Sequence, residues 1–492
     1  MNKNIVISIG ITILFLGIAV VPITQGITIK RSTISISNSS INHLQFSKLN
    51  LGKGCDGYIL FTPWFHTKTY LINNKGKVIH KWKSQHAPGM PVYLLENGNL
   101  LRADYAPHPG IVWGMGDTGR VEMFSWDKKI LWNYVYANDT VCLHHDIEPL
   151  PNGNVLMVAW EVKTKDEAIA AGCKPSNIPE DTFWVDHIIE VKPNGPESGD
   201  IVWEWHVWDH LIQEYDSSKD NYGVVADHPE LIDINFMANK FDKDWNHINA
   251  IDYHEEFNQI LLTSPGQSEI WVIDHSTTTE EAGGHNGGKS GKGGDLLYRW
   301  GNPISYQAGN TEHRKFFFHH DARWIEPGYP GEGNITIFNN GFSRPVEEYS
   351  SVMEIIPPVD SNGSYYLEPG SAYGPEEPIW EYTAENPSDF YASGQSGAQR
   401  LPNGNTLICH GPKGIFFEVT PNNEIVWIYF NLYGSRFLFK INYYPPDYPG
   451  IKSSSRTKQY NENLILFNII IKLCFLDHFP MIIRLQELIN NI

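Results

Sequence analysis

Histidines recur in this sequence at places that repeat. His144 and His145 stand in "CLHHDIEPLPNGN", His247 in "DWNHINAIDY", and His319 and His320 in "FFHHDARWIEP". Each phrase leads into a short strand, and the corresponding place in "QSGAQRLPNGN" carries Ser396 instead. His410 closes a strand in "NTLICHGPKG", and Arg344 occupies the turn in "FNNGFSRP". Several imidazoles with one guanidinium and no acidic cluster allow two kinds of chemistry. Imidazole suits zinc, copper and iron, although no H-E-x-x-H spacing is present. Alternatively, a neutral imidazole attacks an anionic group as nucleophile, while other imidazoles and the arginine neutralise charge on its oxygens. The His-Asp steps have a plainer reading too, as hydrogen-bonded links between neighbouring strands, His144–His145–Asp146 above all.

Residues so far apart in the chain converge only if the fold brings equivalent positions of a repeat to one axis. The repeat is explicit. A Gly/Asn turn feeds a strand in "LLENGNLLRA", "PLPNGNVLMV", "HEEFNQILLT", "YPGEGNITIF" and "RLPNGNTLIC". A second strand ends in or around a tryptophan: Trp82, Trp132, Trp203, Trp300, Trp380 and Trp427. Alternating β-branched and aromatic runs joined by Asn-Gly and Asn-Asn turns are hairpin chemistry. Six such units predict an all-β, six-bladed β-propeller, in which inner strands line a central funnel. The tryptophans are expected to pack between blades. The first unit, from about Gly57, lacks a leading strand, which either His43–Lys48 or the C-terminal part would supply. Residues 162–182, 207–244 and 276–294 interrupt the pattern, the last as a flexible Gly-rich loop.

The totals narrow the function. A chain of 492 residues with net charge −19 repels phosphate backbones, so general binding to nucleic acid is excluded. An anionic substrate then needs a locally positive pocket. Met1–Gly26 reads as a signal peptide or membrane anchor, with an uncharged run over residues 5–21. The expected organisation is that segment, a lead-in over 27–56, the propeller over 57–450 and an extension of unknown structure over 451–492. The propeller would then be extracytoplasmic, secreted or held at the outer face of the membrane. Five cysteines without a C-x-x-C pair give neither a zinc module nor a disulfide framework.

From about Gly57 to Gly450 the chain resembles the PAPS-independent aryl-sulfate sulfotransferases. The motifs that carry the likeness run in order: "DWNHINAIDY", "HHDARWI", "NITIFNNGFSR", "WEYTAENPSDFY" and "SGAQRLPNGNTLICHG". The resemblance implies transfer of a sulfuryl group from an aryl sulfate to a phenol. It implies a ping-pong route through a sulfated histidine, with no nucleotide, metal or other cofactor. By position, His247 and His320 match the site histidines, Arg344 the site arginine, and His410 falls about where the nucleophile is expected. His145, Asn249 and His319 are expected to hold substrate. The chain lacks room for the N-terminal β-sandwich of enterobacterial members, and its tail follows no family pattern. Two other readings stay open: a surface propeller that binds a ligand or protein without turnover, and a quinone-dependent dehydrogenase. The latter would need an acidic calcium-binding set that the sequence does not show.

Overall fold

The structure, a computed structural model, describes residues 54–107, 116–178, 180–238 and 243–452. The expected signal or anchor segment, the segment His43–Lys48 and the tail beyond residue 452 lie outside them. Among the described residues no helix is long and apolar enough to cross a membrane.

Six four-stranded antiparallel sheets form the six blades. Blade 2 is Pro88–Leu94, Leu100–Tyr105, Gly119–Phe124 and Ile130–Val135, from axis to rim. Blade 3 is Val141–Pro149, Val155–Thr164, Thr182–Pro193 and Gly199–His206. Blade 4 is Ala250–His254, Gln259–Ser264, Glu269–Asp274 and Tyr298–Trp300. Blade 5 is His320–Trp324, Ile335–Asn339, Ser351–Ile355 and Trp380–Tyr382, and blade 6 is Gly397–Arg400, Thr406–His410, Ile415–Val419 and Ile425–Phe430. Blade 1 takes its missing inner strand from the C-terminal part. Asn442–Tyr444 pairs antiparallel with Tyr58–Phe61, and Lys68–Asn73 and Val78–Lys83 complete the sheet. Of the two sources expected from sequence, the second closes the ring.

The Asn-Gly-Asn turn repeats for a local reason. Asn152 Oδ1 accepts from Asn154 N at 2.8 Å, Gly153 takes φ +87°, and both asparagine amides donate to Glu190 of the third strand. Asn403, Gly404, Asn405 and Glu418 repeat the device in blade 6. The turn therefore stops one strand and fixes its register against the next but one.

The six tryptophans form a closed chain around the rim. The Trp82 indole N–H donates to Ser125 O at 3.1 Å, Trp132 to Ser198 O at 2.9 Å and Trp203 to Thr277 Oγ1 at 3.1 Å. Trp300 donates to Pro375 O at 2.7 Å, Trp380 to Pro421 O at 3.1 Å and Trp427 back to Asn74 O at 2.7 Å. Each bond runs from one blade to the next. Aromatic bodies, buried in all but the half-buried Trp380, thus fill the gaps between blades while their single polar atom stays satisfied.

Two insertions differ from expectation. Pairing in blade 3 continues out to Thr182 opposite Thr164, so the interruption shrinks to the turn that holds the helix Lys165–Ala170. The Gly-rich segment is not a slack loop. Thr278 and Glu281 cap the helix Thr279–Ala282, and Asp274 accepts from Ser276 and Ser290. Gly293 N and Gly294 N donate to Gly287 O and Gly284 O. Glycine is used there because backbone must meet backbone: a Cβ on Gly294 would lie 2.0 Å from Ala282 O.

Candidate active site

The residues entering the innermost strands leave ordinary strand geometry. His145, His247, Phe318 and Ser396 take φ of 52°, 54°, 61° and 83°. A left-handed backbone at such residues costs on the order of 1–3 kcal/mol and persists only where surroundings over-determine it. Here it turns imidazoles toward one another. The rings of His145 and His247 meet edge to face, with centroids 4.5 Å apart. His320 joins them from blade 5, and Phe439 lies 6.1 Å from His145 and 6.2 Å from His320. Gly116 covers His145 so closely that a Cβ there would lie 2.1 Å from the ring.

Each imidazole is held differently. His247 Nδ1 lies 2.6 Å from Asp244 Oδ2, and Asp244 Oδ1 accepts from the Trp160 indole at 3.1 Å. A carboxylate accepts, so Nδ1 of His247 carries a hydrogen, and in the tautomer this selects the lone pair is on Nε2. His320 Nδ1 bonds the neutral Asn340 Oδ1 at 2.7 Å, while its Nε2 receives Gln395 N–H at only 3.3 Å. Burial holds the His320 pKa down to about 4, Asn340 opposing and the nearby His247 adding to it. His145 is pushed well below the usual imidazole range by burial, then by His247, His144 and His320. His145 and His320 are therefore neutral at pH 7, the state in which imidazole has a lone pair to give.

One residue further along the same strands lie the links between blades. Asp146 Oδ2 accepts from Ile251 N of blade 4, and Asp321 Oδ2 from Ala398 N of blade 6. Lys440 Nζ joins both carboxylates, at 2.7 and 3.2 Å, and Arg323 Nε adds 2.8 Å to Asp321. Burial pushes the Asp321 pKa up, but Arg323 and Lys440 outweigh it and hold the carboxyl below its ordinary range. His144 packs flat on Trp160 with centroids 4.0 Å apart, and its Nε2 lies 2.7 Å from Asp186. So the plainer reading of the His-Asp steps describes Asp146 and Asp321, while His145 and His320 turn to the cluster. Across this network a cavity of about 760 Å³ opens at the other ends of the strands, lined by Glu148, Asp252, Trp324 and Tyr444.

The remaining sequence candidates divide. Arg344 packs over Tyr349 and Phe317, 4.1 and 5.2 Å from the rings, with Nη1 donating to Tyr349 Oη at 3.3 Å. Its Nε and Nη2 are buried with no hydrogen-bond partner. Phe317 adjoins Phe318, whose ring lies 6.1 Å from His247, 5.6 Å from His320 and 5.6 Å from the exposed Phe342. His319 and Asn249, expected to hold substrate, are fully buried and take backbone partners: His319 bonds Glu269 O, and Asn249 donates to His319 O. His410, expected at the end of an inner strand, ends the second strand of its blade instead. Its ring faces Phe390, with centroids 6.1 Å apart, neither nitrogen has a hydrogen-bond partner, and burial pushes its pKa to about 3. The reason is the blade-6 register: Gly397 opposite Cys409 makes Gly397–Arg400 the inner strand. Ser396 fills the entry position and accepts from Gly411 N.

Sequence reasoning missed Asp244, Phe318, Phe439 and Lys440. Asp244, three residues before His247, was the one with a signal, since a carboxylate beside a histidine commonly fixes its tautomer. Phe439 and Lys440 precede a strand that joins the ring only through closure.

Comparisons with solved structures give distant likenesses. A protein of unknown function from Bacteroides caccae is 11% identical, with TM-score 0.42, covering 78% of this chain and 98% of its own. A putative 6-phosphogluconolactonase from Bacteroides fragilis is 9% identical, with TM-score 0.37 and coverage of 80% and 99%. Virginiamycin B lyase from Staphylococcus aureus is 12% identical, with TM-score 0.34 and coverage of 78% and 88%. None of these is similar enough to lend an activity, and no curated protein matches the chain. The family comparison is decisive: the arylsulfotransferase (ASST) family matches residues 64–444, most of the chain, and the chain belongs to that family.

Proposed function

We propose that this propeller transfers a sulfuryl group from an aryl sulfate to a phenol through a sulfo-histidine, and that His247 is the histidine. The observation that carries this is the 2.6 Å bond from His247 Nδ1 to Asp244, which leaves Nε2 as the basic atom of a ring set among neutral imidazoles. The Nε2 lone pair attacks sulfur, the N–S bond forms, and the S–O(aryl) bond breaks with its electron pair leaving on the phenolate. Phenols, with pKa near ~10, are tolerable leaving groups. In the second half the phenolic oxygen of the acceptor attacks sulfur, its proton passes to His320 Nε2, and the N–S electron pair returns to His247. Arg344, with two buried nitrogens lacking partners, is assigned to the sulfonate oxygens. The line of Phe342, Phe318 and Phe439 suits the aryl ring at the same imidazoles. His410, sealed against Phe390, is assigned no chemical step.

The test is to incubate the protein with an arylsulfate chromogen, with and without an added phenol, and map the trapped sulfo-peptide. Acceptor-dependent release with the sulfuryl group on the peptide containing His247 is expected. A sulfated His410 peptide would restore the assignment made from sequence. Binding of aryl sulfate with no release from any donor would make this a binding propeller.

A further inference from the structure

Outside the histidine cluster, two more histidines meet over one carboxylate. His210 ends the short turn Val207–His210, which follows the rim strand of blade 3. His285 and Asp295 belong to the Gly-rich insertion and its exit into blade 4. His210 Nδ1 lies 2.9 Å from Asp295 Oδ1, and His285 Nδ1 lies 2.7 Å from the same oxygen. The His210 ring is fully buried and stacked on Trp205, and its Nε2 lies 2.9 Å from the carbonyl of Ala282. A carbonyl accepts only, so Nε2 carries a hydrogen. A neutral His210 then presents a lone pair at Nδ1, and that lone pair faces a carboxylate oxygen that a second imidazole nitrogen also faces. Lone pairs at such separations repel, so positive charge belongs between them.

We propose that His210, His285 and Asp295 are the protein ligands of a divalent transition-metal ion, zinc by the chemistry of the set. Two imidazoles and a carboxylate are ligands that zinc takes, with a fourth position for water. The Nε2–H of His210 given to a backbone carbonyl is the outer-layer bond that fixes the tautomer of a metal-binding imidazole. All three ligand atoms lie within 4.8 Å of one another. Zinc bonds of ~2.0–2.1 Å at tetrahedral angles place ligand atoms about 3.3 Å apart, so the two His–Asp separations would open by about half an ångström and the two imidazole nitrogens would draw in to that spacing. His285 can supply it, because its side chain is 57% exposed. A cavity of about 490 Å³ beside His285, lined also by Asp209 and His228, gives the ion and its water a way in. The insertion is already drawn onto blade 3, Trp205 donating its indole N–H to Gly294 O at 2.7 Å. Metal binding would lock the two together, a structural role distinct from the sulfuryl chemistry.

The experiment is zinc titration of the chelator-treated full chain, by competition with a chromophoric chelator and by metal analysis after dialysis. Wild type is expected to retain one zinc per chain. Asp295→Asn and His285→Ala, the latter on an exposed side chain that does not threaten folding, should each weaken binding by about 10–100-fold or more. His247→Ala should retain the ion. Zinc should also protect residues 276–294 of wild type, but not of His285→Ala, from limited proteolysis. Equal binding by wild type and His285→Ala, loss of the ion in His247→Ala, or no retained zinc in wild type would each overturn the proposal. The last would make a second proton on an imidazole the charge between these groups.

Discussion

The rim strand of every blade presents a tryptophan whose indole N–H crosses to the next blade, whereas the strand entries at the axis carry His145, His247, Phe318 and Ser396 in turn, with His320 two residues beyond Phe318. At the rim the requirement is the same six times, to fill a gap between twisted sheets without leaving an N–H unbonded. At the axis the entries face each other, and a ring of identical residues would present identical groups at one point. Different neighbours, Asp244 for His247 and Asn340 for His320, make chemically different imidazoles at one axis. Repetition builds the frame, and departure from repetition builds the site.

The sharpest way to break this contrast is at the axis. His247→Ala should lower transfer by at least ~10³-fold, as loss of a nucleophile does, with little change in melting temperature. His410→Ala should leave most of the transfer intact; equal losses in both variants would put His410 back in the site. At the rim the outcomes should reverse. Trp132, 2% exposed, should cost about 3–5 kcal/mol of stability as Trp132→Ala, measured by denaturant unfolding, with activity per folded molecule kept. A selective loss of activity there would couple rim to site.

The next test uses acid. Burial holds the folded pKa of His410 at about 3, against about 6.5 for an unfolded histidine. Between those values the unfolded chain binds the proton and the folded chain does not, so this group makes stability fall as pH falls from ~6.5 towards ~3. His410→Leu should therefore flatten the pH dependence of unfolding over that window, by up to about 1.4 kcal/mol per pH unit. An unchanged slope would mean the ring is not held neutral. The smallest effect expected is that of Trp132→Phe, which keeps most of the aromatic body and deletes one hydrogen bond to Ser198 O. It should cost about 1 kcal/mol for the bond, and a cost near zero would show the rim chain to be packing alone.

Much of the fold was legible because its signals are local. The Asn-Gly-Asn turns make their own hydrogen bonds within a few residues, and the alternating runs between them can bury only one way as strands. The candidate cluster was legible where a histidine sits at or next to the repeated entry, as His145, His247 and His320 do. It was misread where strand order mattered. His410 looked like an inner-strand residue because a single strand ending does not say how many strands lie between it and the axis. His319 and Asn249 looked available because polar side chains beside a site histidine give no sign of a backbone partner fifty or more residues away.

The sequence by itself determined six blades, the tryptophan rim and the family of the chain, since each depends on spacing within a repeat. Only the tertiary structure decided that Asn442–Tyr444 closes the ring, bringing Phe439 to the histidines and Lys440 to Asp146 and Asp321, and that Asp244 rather than a neutral group faces His247. The physical reason is that protonation, burial and orientation of an imidazole are set by whatever lies within a few ångströms. In a closed ring those neighbours come from segments that sequence distance cannot pair.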